Sequence, residues 1–191
     1  MSGQPMLIQT IVSQRSAGTL FNTYTSAKSV INPTDQATIP PGMLAPGSKL
    51  KVHVWGGLSN IVTTPGTVTF QIMMGSIAIW TSGAIQMSTT AHTLIPFTLD
   101  VVIRMDSEGS GTSAKFIGGG KLNGIMFTVG SGADSTTVVG EFPVPAAAPA
   151  VGTGYDSSIS NILDFWTGFS ISQPTNGVQI MDYDVVLAKW T

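Results

Sequence analysis

The sequence predicts an all-β protein, folded as an antiparallel β-sandwich of the jelly-roll type with about eight strands. Three observations predict this class. Apolar and polar residues alternate along most of the chain, runs rich in Gly, Pro, Asn and Ser separate the alternating stretches, and no stretch shows the apolar stripe of a capped helix. We therefore expect a β-sandwich domain at residues 36–191, preceded by an extended N-terminal arm at residues 1–35.

The strands are predicted from apolar residues that recur at every second position, because such residues share one face of a strand. The clearest run covers residues 97–105, and further strands are predicted at residues 37–39 and 178–189. The remaining strands follow from the same rule. The residues expected to face the core are Leu50, Val52, Val54, Val68, Phe70, Ile72, Met74, Phe97, Leu99, Val101, Ile103, Met105, Ala114, Phe116, Leu122, Leu163, Phe165, Phe169 and Ile171.

Glycines mark two places within this pattern. Gly75-Ser76 offers the positive φ of a two-residue type II′ turn, so residues 77–80 are predicted to form a return strand. Gly118, Gly119 and Gly120 interrupt an alternating run, which indicates a bulge or a close approach by another backbone. They do not form a phosphate-binding loop, because no helix start and no Lys-Ser/Thr pair follows them.

Two segments do not share the alternation. Residues 141–154 form a Pro-Ala loop that is long for a sandwich connection. Residues 1–35 are only weakly periodic, yet they contain too many apolar side chains for a freely solvated tail, so we expect them to contact a sister subunit or another surface. The interface residues predicted there are Leu7, Ile8, Ile11, Val12, Leu20 and Phe21.

The composition favours a protein that works inside an assembly. Only 9% of the residues are charged, whereas about 25% is usual, and 42% are apolar. A net charge of −2 leaves no basic surplus for nucleic acid, and zero cysteines exclude disulfides and thiolate sites. No apolar stretch reaches membrane-spanning length and no signal peptide is visible, so we expect no membrane partner.

The sequence offers little for catalysis or metal binding. It contains two histidines and lacks a G-x-S-x-G nucleophile elbow, and its nearby carboxylates lack the spacing of an EF-hand loop. We therefore predict no catalytic residue, no metal ligand and no cofactor, and we expect a protein that is not an enzyme. The residues weighed were His53, His92, the pair Asp182 and Asp184, the pair Asp106 and Glu108, and Asp164 beside Trp166.

Two tryptophans are predicted on strand faces that point away from the core. Trp55 and Trp166 both alternate with core-facing residues. Such a side chain can anchor a subunit interface, contact carbohydrate, or lie under a second layer of the same domain. Trp55 and Trp166 therefore join the predicted interface residues.

Four short motifs occur in a fixed order between residues 58 and 114. They are the stretch SNIVTTPGT, which begins at Ser59, then SGA from Ser82, TTAHT from Thr89 and GTSA from Gly111. With the Gly-rich strand that follows, this order resembles a family of tailed-bacteriophage virion proteins over roughly residues 36–125. The resemblance implies a β-sandwich protein that decorates or cements the capsid.

The resemblance and the composition together give the expected role. The protein would bind the major capsid protein across capsomers on the outer surface of the phage head, as a homotrimer made in the host cytoplasm. The alternative is a head-fibre or tail-associated host-binding protein that uses exposed Trp and Asp residues to hold a host glycan. A depolymerase ranks third, because candidate acids and bases are scarce.

Overall fold

A computed structural model describes residues 6–60, 64–128, 141–146 and 150–190, and nearly all of the regular structure in them is β. The one helical element in these ranges is a single 3-10 turn, Pro33–Asp35. No helix among the described residues has the length and apolar character needed to cross a membrane.

Fifteen strands are present in the described ranges, several of them only two or three residues long. Their bounds are β1 Met6–Ser13, β2 Phe21–Asn22, β3 Lys28–Ser29, β4 Ala37–Ile39, β5 Lys49–Asn60, β6 Thr67–Met74, β7 Ile77–Thr81, β8 Ile85–Met87, β9 His92–Ser107, β10 Ala114–Asn123, β11 Phe127–Thr128, β12 Glu141–Val144, β13 Ala150–Tyr155, β14 Asn161–Phe169 and β15 Gly177–Trp190.

The strands form two antiparallel sheets, so the predicted all-β sandwich is confirmed. Sheet A has the order β1-β15-β5-β9-β10-β12, with β13 also paired to β10 and β2 to β15. Sheet B has the order β11-β8-β6-β14-β3, with β7 also paired to β6 and β4 to β14. Jelly-roll connectivity stays a prediction. The strand number exceeds the expected eight, partly because two-residue and three-residue strands carry too little alternation to be recognised.

The predicted alternation is confirmed in the long strands. Every second residue from Phe97 to Met105 is buried in one continuous core, and the residues between them, including Val102, face outward. Phe70 of β6 stacks between two rings, with its centroid 5.3 Å from that of Phe97 and 6.0 Å from that of Phe165. Because Phe97 belongs to sheet A and the other two rings to sheet B, this stack joins the two sheets.

The predicted hairpin between β6 and β7 is also confirmed. Met74 pairs with Ile77 across a two-residue turn, and Gly75 has a φ of 62°. A bulge after Ile72 places Trp80 opposite that residue, and Trp80 lies buried in the core. Positive φ at the first turn residue is the feature that a type II′ turn requires.

The boundary expected at residue 35 does not separate an arm from the sandwich. Strands β1 and β2 both pair with β15, and β3 pairs with β14. Four side chains between residues 12 and 31 are buried in the common core, namely Val12, Tyr24, Val30 and Ile31. Residues 6–35 therefore belong to the same domain as the rest of the described chain.

The close approach by another backbone that the three glycines predicted is confirmed at Gly120, whereas Gly118 lies close to a side chain and Gly119 to neither. A Cβ on Gly118 would lie 2.7 Å from Cδ1 of Trp80, and one on Gly120 would overlap the carbonyl oxygen of Asp100. A Cβ on Gly119 would point into open space. The strand therefore needs glycine at the first and third positions and tolerates a side chain at the second.

Alanine substitutions at these three glycines are expected to differ in their effect on the free energy of unfolding. Gly118→Ala and Gly120→Ala should each lower the free energy of unfolding by about 1–3 kcal/mol, because the added methyl group forces neighbouring atoms to move. Gly119→Ala is the matched control and should leave stability unchanged or slightly raised. Denaturant unfolding of the three variants measures the difference, and equal losses at all three positions would contradict the close contacts.

Candidate interaction surfaces

Strand β1 is an exposed edge strand with an apolar sequence. It pairs with β15 on one side, and no described strand pairs with its other side. Met6, Leu7 and Ile8 are exposed, and Ile8 is the most exposed of them at 60%. No charged residue precedes Arg15 in the chain. This strand has none of the charges or prolines that usually protect a free sheet edge.

The first half of β1 is bare on both faces. Successive strand residues point to opposite faces, yet Leu7 and Ile8 are both exposed. Burial begins further along the strand, where Ile11 is half-buried and Val12 belongs to the core. Residues 6–10 therefore extend beyond the part of sheet A that sheet B covers.

The predicted interface residues of the N-terminal segment fall into two groups. Leu7, Ile8 and Leu20 are exposed and available for contact. Val12 is buried in the core of its own chain, and Ile11 and Phe21 are half-buried against that core. Val12 is thus wrong as an interface residue, because a register shift after Thr10 places it opposite Val185.

The outer face of sheet A carries much of the charge of this charge-poor chain. On three adjacent strands His53 lies between Asp184 and Asp100, and its Nδ1 is 2.7 Å from Oδ1 of Asp100. Lys121 follows on the next strand, where its Nζ forms an ion pair of 2.8 Å with Glu141. Other charged residues on outward positions of these strands are Lys49, Lys51, Arg104, Lys115 and Asp182.

A groove of about 580 Å³ crosses this face. Lys51, His53 and Asp184 are among its polar lining residues, and Val102 and Gly119 are among its apolar ones. The missing side chain at Gly119 leaves space in this lining. The groove therefore offers charges of both signs around an apolar patch.

Trp55 points away from the core, as the sequence predicted, and lies on the same face of sheet A as the groove. It is 44% exposed, and it pairs with Asp182 on one side and Thr98 on the other. An exposed indole beside carboxylate and hydroxyl groups can stack on a sugar ring while the polar neighbours bind its hydroxyls. It can equally anchor a protein contact.

Trp166 is not a free aromatic platform. It is half-buried on the outer face of sheet B, and its Nε1 donates a hydrogen bond of 2.7 Å to Oδ2 of Asp164. Asp164 also accepts from Gln36 Nε2 at 2.8 Å, from Ser29 Oγ at 2.9 Å and from the backbone NH of Phe165 at 2.7 Å. Trp166 therefore contributes to a hydrogen-bond cluster within its own chain.

The sequence did not predict that Asp164 is the centre of this cluster. The residue is only 6% exposed, and burial raises the pKa of its carboxyl group, while its four hydrogen bonds oppose that rise. Burial also raises the pKa of Tyr24, to about 12. The Tyr24 hydroxyl lies in hydrogen-bond contact with Thr167, which belongs to β14 like Asp164. Both groups tie the N-terminal segment to β14.

Residues of three of the motifs behind the family resemblance form hydrogen bonds within the chain, and one of these bonds joins two motifs. Ser59 Oγ accepts a hydrogen bond of 2.9 Å from the backbone NH of Leu94, and Asn60 Nδ2 donates to the carbonyl oxygen of Thr90 at 3.1 Å. Ser82 Oγ accepts from the NH of Phe70 at 3.0 Å. These motif residues hold loops and strands together, which is a structural task.

The residues weighed for catalysis or metal binding do not come together into one site. His53 lies on the outer face of sheet A, whereas His92 pairs with Asn60 at the start of β9. Asp106 forms an ion pair of 3.1 Å with Arg104. In the described ranges no three His, Asp or Glu side chains converge in a way that would hold a metal ion.

Comparison with known proteins gives no further guide to function. No protein family model matches the chain, and no curated protein is significantly similar to it in sequence.

Proposed function

We propose that this chain is a non-enzymatic structural protein of a tailed-phage virion, a decoration or cement protein on the outer surface of the head. It binds the major capsid protein across neighbouring capsomers and associates with further copies of itself. The motif order between residues 58 and 114 supports the phage assignment. The bare, uncharged edge strand β1 carries the assembly part of the proposal.

The isolated chain leaves apolar side chains exposed to water. Burying apolar surface contributes about 25 cal/mol per Å², so a protein with few charges gains most from large contacts made of many weak interactions. Met6, Leu7 and Ile8 supply such a surface at one sheet edge, and Leu20 adds another exposed apolar side chain. A lattice protein buries surfaces of this kind against its neighbours.

The test is the position and copy number of the protein in purified phage particles. Gold-labelled antibodies should decorate the heads, and quantitative mass spectrometry should count copies on the order of hundreds, as repeated capsid positions require. Antibodies against the major capsid protein and against a tail protein are the controls. A few copies at the tail tip, or absence from particles, would contradict the head assignment.

A host-binding role is the second candidate, and the outer face of sheet A is the observation that favours it. Trp55 is exposed beside Asp182, on the same face as the groove that His53 and Asp100 line. Under this candidate Trp55→Ala abolishes adsorption to host cells while leaving particle assembly intact. Under the cement role the same substitution leaves adsorption unchanged.

A further inference from the structure

We propose that β1 of one copy pairs antiparallel with β1 of a second copy about a two-fold axis. The two A sheets then form one continuous sheet, with the order β9-β5-β15-β1 followed by the same strands of the second copy in reverse. This inference deepens the assembly part of the proposed function and rests on it. It concerns the isolated protein, so its test is independent of the particle.

The unprotected edge is the first argument. Strand β1 has eight residues, and one whole side of its backbone NH and carbonyl groups has no described strand beside it. Such an edge is a template for another strand, and natural proteins usually block it with charge, proline or shortness. Here the exposed half of the strand reads Met-Leu-Ile-Gln-Thr, from Met6 to Thr10.

The other sheet edges are protected, covered or short, so the strand that pairs with β1 is expected to be β1 of another copy. Strand β12 carries Glu141 and Pro143, which protect an edge, and β13 lies against β7, where Gly152 meets the backbone of Ile79. Strands β2, β3, β4, β8 and β11 have two or three residues each. In the described part of the chain, β1 is therefore the longest sheet edge with neither charge nor proline, and the two shorter ones, β7 and β13, lie against each other.

The absence of charge on β1 favours a two-fold contact in particular. A two-fold axis brings each residue near its own copy, so any charge close to the axis would meet a like charge. From Met6 to Gln14 the chain has none. The nearest cation on the neighbouring strand, Lys189, pairs with Leu7 and directs its Nζ to the carbonyl oxygen of Met43, 3.4 Å away.

The two faces of sheet A fix the direction of the axis. One face is apolar and covered by sheet B, and the other carries His53, Asp100 and Asp184. The apolar face of one A sheet continues into the apolar face of the other, and the charged face into the charged face, only when the two-fold axis is perpendicular to the sheet. In that geometry one residue of β1 lies directly opposite its own copy. The contact produces an even number of copies, in place of the expected trimer.

The first experiment compares two exposed isoleucines. Ile8, 60% exposed, lies on β1, and Ile159, 53% exposed, lies in the loop before β14. Light scattering coupled to size exclusion should show a dimer, or a larger even number of copies, for the wild type and for Ile159→Lys. Ile8→Lys should weaken association at least about tenfold, because it places two ammonium groups near the axis.

The second experiment identifies the two-fold axis directly. The chain has no cysteine, so each residue from Met6 to Thr10 can be replaced singly by Cys. Residues directly opposite in an antiparallel pair have Cα atoms about 4.5–5.5 Å apart, within the range that a disulfide spans. Mild oxidation should therefore give a covalent dimer at the position on the axis, with little product at its neighbours.

Three results would overturn the inference. A monomeric wild type at micromolar concentration shows that β1 does not recruit a second copy. Unchanged association of Ile8→Lys places the contact elsewhere. Lost association of Ile8→Lys without cross-linking at any of the five cysteine positions shows that β1 pairs with a different strand. None of these results affects the particle-location test of the proposed function.

Discussion

Deletion of residues 1–31 is expected to abolish cooperative folding. The deletion removes β1, β2 and β3, and with them the buried side chains of Val12, Tyr24, Val30 and Ile31. Losing a single large buried side chain typically costs about 2–5 kcal/mol, and the whole stability of a domain is about 5–15 kcal/mol. The summed loss therefore exceeds what the rest of the sandwich can supply.

Circular dichroism and thermal unfolding of the truncated protein provide the measurement. Removal of Met1 to Pro5 alone is the matched control, because it leaves every described strand in place. The control should melt like the full chain. A cooperative transition after the longer deletion would show that residues 32–191 fold without β1, β2 and β3, and would contradict the expected loss of folding.

The long strands were predictable because their alternation is local. In β9 the core-facing residues recur at every second position for nine residues, and burial follows that pattern. The N-terminal strands were not predictable in the same way. Strands β2 and β3 have two residues each, and the first half of β1 is exposed on both faces, so no alternation marks it. Pairing with distant β15 and β14 places these strands in the sandwich.

The environments of the two tryptophans show the same difference between local and long-range information. Exposure of Trp55 was predictable, because it depends only on the alternation within β5. The environment of Trp166 was not, because Asp164 takes its hydrogen bonds from residues far away in sequence: Ser29 is 135 positions away and Gln36 is 128. The available signal was an acid two residues before a tryptophan, a pair weighed for catalysis and set aside, and nothing local in the sequence indicates that this acid is buried.

Replacing Asp164 by asparagine is expected to destabilise the fold by about 1–3 kcal/mol at neutral pH, the usual cost of leaving a buried donor unpaired. All four groups around the carboxylate donate hydrogen bonds to it. An amide can accept at one position only and presents its own NH₂ at the other, so at least one N–H donor faces another donor. Removing a buried charge offsets part of this loss, because burial raises the pKa of Asp164.

That raised pKa also gives the wild type a pH dependence that Asp164→Asn should lack. A carboxyl group with a raised pKa holds its proton more tightly in the folded chain than in the unfolded one. The free energy of unfolding therefore falls as pH rises from the ordinary carboxyl range through the raised pKa, and stays lower above it. Denaturant unfolding across this range compares the two proteins, with Asp106→Asn as the exposed control. An asparagine variant as stable as the wild type at neutral pH would show that the four donors do not depend on the carboxylate.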